Sequence, residues 1–368
     1  MQLELRKVSK KVGREFHISD VSLTFESGTL NILLGPTLAG KTTLMRLMAG
    51  LDQPSSGTVH FGDANVTGVA VQKRNVAMVY QQFINYTNLS VFENIASPLR
   101  IAGVAKSDIK KRVARVAALL KLENMLTRSP QELSGGQQQR TALARALVKE
   151  ADLVLLDEPL ANLDYKLREE LREELPRIFS ATGSIFVYAT TEPSEALLLG
   201  GNTASLHQGR VTQFGPTIEV FFQPQNLITA RTLSDPPLNM LPVTKLNNKI
   251  LFKSHLEIPV LGQLPQLPDD DYTIAFRPHH LYLNRTSDRA IGVKAKVVVT
   301  EITGSESFVH VDVAGIRWVL LAPGIHNFAV HETIEIFMDP DQFYVFDRDD
   351  ALVVTPETAA RVEQKRNI

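Results

Sequence analysis

Apolar residues follow two rhythms along this chain, and the change between them falls about two thirds of the way along. In the first part, LNILLG (residues 30–35), VAMVYQ (76–81), LVLLDE (153–158) and IFVYAT (185–190) are nearly continuous apolar runs. Such runs predict strands covered on both faces, and the helical patterns between them predict an α/β domain around a buried sheet. Between the second and third runs, apolar positions recur at helical spacing, so an inserted helical subdomain is expected at about 88–148. Near ARTLSDPPLNMLPV two prolines interrupt the chain, and from about residue 236 the pattern becomes strict alternation. VKAKVVVTEI, SFVHVDVAGIRWVLL and ETIEIFMD predict a small all-β, OB-like barrel. The expected domains are therefore 1–235 and 236–368, with AARVEQKRNI as a solvated tail or short helix.

Composition narrows the function classes. With 44% hydrophobic and 21% charged residues, the chain has the make-up of an ordinary globular protein. Its 39 basic residues are spread among 40 acidic ones, for a net charge of −1, so no nucleic-acid partner is expected. The absence of cysteine excludes disulfides and thiolate metal sites. The first residues, MQLELRKVSKKVG, alternate like an edge strand and lack the long apolar core of a secretory signal. No apolar run reaches the ~18 residues that span a bilayer, so membrane association is expected to go through a partner.

Three segments carry chemistry. GPTLAGKTT (35–43) follows an apolar strand and precedes a helical pattern, the context a phosphate-binding loop requires. The loop runs Gly35, Pro36, Thr37, Leu38, Ala39, Gly40, Lys41, Thr42 and Thr43, and its backbone N–H groups, with the positive end of the helix, suit the β- and γ-phosphates of a nucleotide. Lys41 supplies a mobile charge and the Thr42 hydroxyl a ligand for Mg²⁺. Leu38 stands where many such loops carry glycine, so the backbone there either tolerates a β-carbon or is altered. Asp157 and Glu158 end a buried strand, at the edge where open α/β sheets bind ligands. Asp157 suits Mg²⁺, and Glu158 suits orienting and deprotonating an attacking water. Ser134, Gly135, Gly136 and Gln137 begin the LSGGQQQR segment at an expected helix N-terminus, which makes a second anion site. One nucleotide does not need two such sites on one subunit unless the second serves another subunit.

GPTLAGKTT, LSGGQQQR, LVLLDEP and ANLD, in this order and spacing, resemble the ATP-binding subunits of ABC transporters over about residues 1–234. PPLNMLPV, IAFRPHHLYL and GSESFVHVDVAG resemble the C-terminal barrel of the ATPases that power sugar and polyol importers, and the whole chain looks closest to a glycerol importer subunit. The resemblance implies an ATPase on the cytoplasmic face of the inner (plasma) membrane, working with two transmembrane permease subunits and, indirectly, a solute-binding protein. It implies that two ATP-binding domains close head to tail, each ATP lying between one chain's phosphate loop and the other's signature. Lys41, Thr42, Gln81, Asp157 and Glu158 would then serve this chain's nucleotide, with Thr42, Gln81 and Asp157 around the metal. Ser134 to Gln137 would serve the partner's. Asp164, in ANLD, would communicate across the dimer or cap the following helix.

Two positions depart from the family. Val12 stands where an aromatic ring usually stacks on adenine, which removes ~1–3 kcal/mol of stacking unless Phe16 or a different pose compensates. Thr191 stands where a histidine usually holds the γ-phosphate, and no histidine lies between 61 and 206. Losing a transition-state donor of this kind costs ~10²–10³ in rate. What the chain offers a partner is intact, and what it offers its own ATP is eroded. The expectation is a heterodimer with a second ABC ATP-binding subunit, in which this chain's own site is slow. The alternative is an inert nucleotide-binding scaffold. The adjacent His279 and His280 are expected in a surface turn, since no carboxylates cluster near them to complete a metal site.

Overall fold

The computed structural model describes residues 1–161, 163–181, 183–247, 249–252, 256–260 and 264–356, so the expected C-terminal tail and Asn162 of ANLD lie outside the described residues. The chain divides into two compact units, Met1–Ile218 and Glu219–Ile368.

The first unit contains a six-stranded sheet. Its order is Arg210–Pro216, Asn202–His207, Leu30–Leu34, Ile185–Thr190, Leu153–Asp157 and Val76–Val79. All adjacent pairs are parallel except the first. Every residue of Leu30–Leu34, Leu153–Asp157 and Ile185–Thr190 is buried, which is why these strands read as unbroken apolar runs. The amino-terminal alternation forms part of a separate antiparallel sheet, in which Gln2–Val12 lies between Glu15–Glu26 and Ser56–Phe61. Helix Lys41–Ala49 packs its buried Leu44, Met45, Leu47 and Met48 into one core shared by both sheets.

Three helices, Val91–Ile101, Lys106–Leu119 and Gly135–Val148, occupy the stretch with helical spacing. Asn94, fully buried on the first, donates to the carbonyls of Tyr86, Leu89 and Ser90 and accepts from the Tyr86 N–H. This single amide satisfies four backbone groups between Tyr86 and Ser90, and so helps to fix the path of that segment.

The second unit is all-β apart from short helical turns, with two antiparallel sheets around one apolar core. SFVHVDVAGIRWVLL is a hairpin of strands Glu306–Val313 and Ile316–Pro323. Ala314 and Gly315 both have positive φ, 50° and 83°, the conformation a two-residue hairpin turn needs. Arg277, in the IAFRPHHLYL motif, is buried. Its guanidinium lies 3.6 Å from the Phe221 ring centroid and donates to the carbonyls of Phe221 and Leu233. His279 and His280 lie in a short 3₁₀ turn, Pro278–His280.

The protein's one tryptophan, Trp318, is fully buried here and donates from Nε1 to the Met240 carbonyl at 3.0 Å. Its fluorescence therefore reports on this unit alone. Trp318→Phe is expected to lower the unit's stability by about 1–3 kcal/mol, because the Met240 carbonyl loses its donor beside a fully buried ring position. A fall in the urea midpoint, followed by circular dichroism, checks this; an unchanged midpoint contradicts it.

Candidate functional site

The phosphate loop takes its shape from close backbone approach. Gly40 caps helix Lys41–Ala49 with φ 103°, and a β-carbon there would lie 2.8 Å from the His17 carbonyl oxygen. Gly209, at φ 76°, has the same oxygen 2.5 Å from its would-be β-carbon. These glycines let three separate segments converge beside the helix N-terminus. Leu38 resolves the alternative left by the sequence: it adopts φ 68°, so a left-handed turn is kept with a side chain on it, and that side chain is 95% exposed. The strain of such a conformation is of order 1–2 kcal/mol.

Three strand ends are stitched together next to this loop. The Gly35 N–H donates to the Thr190 carbonyl, and the Glu158 N–H to the Ala189 carbonyl. A cavity of about 530 Å³ opens at that edge, lined by Thr37 to Thr43, Gln81, Glu158 and Thr191, together with Glu15, Phe16, His17, Gln208 and Gly209. The volume falls in the ~300–1,000 Å³ range of small-molecule sites.

Within it, Lys41 is buried and its Nζ donates to the carbonyls of Gly35, at 2.7 Å, and Pro36. Its Nζ also lies 3.9 Å from Glu158 Oε1. Burial lowers the Lys41 pKa, while Glu158 and Asp157 oppose the shift. Thr42 Oγ1 donates to Asp157 Oδ2 at 2.7 Å. Burial raises the Asp157 carboxyl above its ordinary value, against the pull of Thr42 and Lys41. A buried carboxylate that one hydroxyl and one distant ammonium leave undercompensated, paired with a hydroxyl, is a donor set that fits a hard divalent cation. Among the described residues no group of three or more His, Cys, Asp or Glu is placed to hold a metal. A cation here would therefore need oxygen ligands from a bound phosphate as well as from these two side chains.

Glu158 has φ 48°, which turns its carboxylate out of the strand direction and into the cavity. Gln81 Nε2 donates to its Oε2 at 2.9 Å. Burial raises its pKa. Lys41 opposes that shift, and Asp157, Glu195 and Glu192 add to it. This arrangement holds a carboxylate of raised basicity, a glutamine amide and an ammonium around one space, the equipment for directing a water at a phosphoryl group.

Thr191 lines the cavity from a turn that is tightly held. Buried Glu195 accepts from the hydroxyls of Tyr188, at 2.9 Å, and Thr190, at 2.7 Å, and from Arg172. The Thr190 hydroxyl in turn accepts from the Glu192 N–H. The turn that presents Thr191 is thus held by four hydrogen bonds, none of them from the Thr191 side chain.

Ser134, Gly135, Gly136, Gln137 and Asp164 do not line this cavity. Ser134 is the N-cap of helix Gly135–Val148: its hydroxyl accepts from the Gln137 N–H, and Gln137 Oε1 accepts from the Ser134 N–H. Ser134 and Gly135 are exposed, so the helix N-terminus faces outward. Asp164 is exposed directly before helix Tyr165–Ala181.

Sequence reasoning missed Glu15, His17, Gln208 and Gly209 as cavity residues. A histidine does line the cavity, but it comes from strand Glu15–Glu26 and not from the neighbourhood of Thr191. The glycine in the turn between strands Asn202–His207 and Arg210–Pro216 was the one available signal.

Residues 18–161 match the ABC transporter family and residues 274–346 the TOBE domain. The chain is 32% identical over 354 residues to an osmoprotective compounds uptake ATP-binding protein of Synechocystis, covering 94% of this chain and 98% of the relative. It is 34% identical over 363 residues to a trehalose/maltose import ATP-binding protein of Thermococcus litoralis, covering 94% and 97%. It is 32% identical over 360 residues to an sn-glycerol-3-phosphate import ATP-binding protein of Cupriavidus pinatubonensis, again covering 94% and 97%. Among solved structures, a dimeric ATP-binding cassette in a post-hydrolysis state with ADP and Pi is 27% identical, with a TM-score of 0.54, covering 58% of this chain and 98% of that one.

Proposed function

Because this chain belongs to the ATP-binding subunits of ABC transporters that import sugars and polyols, we propose that it drives uptake of glycerol or a related polyol as one unequal half of an ATPase pair. The family makes it an ATP-binding ATPase. The observation that carries the finer reading is the cavity that joins the phosphate loop, Gln81 and Glu158 to a threonine at position 191.

In this reading Lys41 leaves the carbonyls of Gly35 and Pro36 to bind the β- and γ-phosphates. Thr42 and Asp157, with Gln81, would hold Mg²⁺. The metal, when bound, neutralises charge on the phosphate oxygens. Glu158 orients a water and takes its proton once Gln81 releases the carboxylate. Thr191 offers the γ-phosphate only a short neutral hydroxyl, so this site turns over slowly. Ser134 to Gln137 complete the nucleotide site of a second, different ATP-binding subunit, and Asp164 lies between the two. Two permease subunits and a solute-binding protein complete the importer, and the chain works at the cytoplasmic face of the membrane. No helix among the described residues is long and apolar enough to cross it, which fits a peripheral subunit.

The raised Glu158 pKa gives a test. The base form exists only above that pKa, so turnover at this site falls as pH drops through a value above the ordinary 4.5. The acid limb of the ATPase profile is expected there, and Glu158→Gln removes the activity along with the limb. ATPase that survives Glu158→Gln with its pH profile intact contradicts the assignment.

A further inference from the structure

The loop between strand Leu153–Asp157 and helix Tyr165–Ala181 begins at Glu158 and ends at Asp164, so it runs from the proposed base to the proposed partner contact. Its backbone carbonyls are claimed almost one by one. The Glu158 carbonyl accepts from the Ala161 N–H, and the Leu160 carbonyl from the Leu163 N–H. The Pro159 carbonyl accepts from Nε2 of Gln139, which is buried on helix Gly135–Val148. Those of Ala161 and Leu163 both accept from Arg168 Nη2, at 3.4 and 3.5 Å. Arg168 has a second arm. Its Nη1 lies 3.5 Å from Oε1 of Glu192, the residue that follows Thr191. Arg172, about one helical turn on, holds the other oxygen of that carboxylate at 3.1 Å. Arg172 also donates to Glu169 and Glu195 and, among the described residues, to no carbonyl of the loop. Arg168 alone of the two therefore spans from the loop to the turn, which a planar fork of donors can do and a point charge cannot.

We propose that Arg168 is a positioning residue that holds the Glu158–Asp164 loop and the Thr191 turn as one body, so that a partner seated against Asp164 sets the place of Glu158. The proposal rests on the ATPase reading above and adds to it the side chain that keeps the geometry for the transfer step. Each of the three contacts is long and partly solvated, so together they contribute little to stability. They do fix where the loop sits relative to the turn. Turnover is sensitive to such placement, whereas nucleotide affinity, set at the phosphate loop, is not.

That separation defines the experiment. ATP hydrolysis by the complete importer is measured against ATP concentration for the native chain, Arg168→Ala, Arg168→Lys, Glu192→Gln and the double variant Arg168→Ala with Glu192→Gln. Arg168→Ala is expected to lower kcat about 2- to 30-fold and to leave KM for ATP unchanged. Glu192→Gln breaks the same bridge from its other end, so it lowers kcat in that range, and the double variant falls no further than the slower single one. Arg168→Lys keeps a charge beside Glu192 but cannot fork, so its kcat lies between those of the native chain and Arg168→Ala. A native kcat in Arg168→Ala or Arg168→Lys, a rise in KM with kcat unchanged, or losses that multiply in the double variant overturns the bridge while the ATP site stands. If the complex with the native chain hydrolyses no ATP, the ATPase reading fails and the bridge with it.

Discussion

Ser134→Arg is expected to abolish ATP-driven uptake by the assembled importer, whereas Thr191→Ala leaves uptake little changed. Ser134 caps an outward-facing helix N-terminus, where free N–H groups and the helix dipole favour an anion. An arginine there removes the cap, fills the space with a long side chain and places its charge against the positive end of the helix. Loss of the cap costs about 1 kcal/mol of stability, too little to unfold the chain, so the loss of uptake reports on the site. In the proposed division of labour Thr191 belongs to the slower site, and removing its hydroxyl takes away little that a histidine would have given. Uptake into vesicles containing the complete importer checks both variants. Equal losses would contradict the division of labour between the two nucleotide sites.

The second large effect is at Lys41. Its ammonium is buried and bonded to two carbonyls of its own loop, with Glu158 3.9 Å away. It is thus a charge already drawn out of water and aimed at the space a phosphate would fill, the condition under which charged hydrogen bonds contribute most. Lys41→Ala is expected to weaken ATP binding to the isolated chain about 10- to 100-fold, corresponding to about 1.5–3 kcal/mol for hydrogen bonds to a charged group. In the complete complex the same change separates two roles. A slow but live site loses its share of ATP turnover, seen as a fall in ATPase, and an inert scaffold leaves the ATPase of the complex unchanged.

Much of this was legible in the sequence because the signals are local. The phosphate loop, the LSGGQ helix start and the strand-end carboxylates each depend on a few consecutive residues, and buried parallel strands announce themselves as unbroken apolar runs. The parts that escaped depend on distant segments meeting. His17 and Gln208 reach the cavity because Gly40 and Gly209 let backbones touch, a fact carried by φ angles and not by any spacing. The Gln81 contact with Glu158 spans 77 residues, and no periodicity encodes it. Leu38 shows the opposite case, in which the sequence posed a sharp question and only the backbone could answer it: the left-handed turn survives with a fully exposed leucine. The hairpin turn at Ala314 and Gly315 was hidden inside one alternating run, because a two-residue turn barely interrupts the period.

If this chain is the weaker half of a pair of ATPases, as proposed, its turnover when purified alone will be low. With saturating Mg-ATP, hydrolysis is expected about 10²- to 10³-fold below the ~10 per second of an ordinary enzyme, since both sites of any self-pair carry Thr191 in place of histidine. Turnover at that ordinary rate by the chain alone would contradict it.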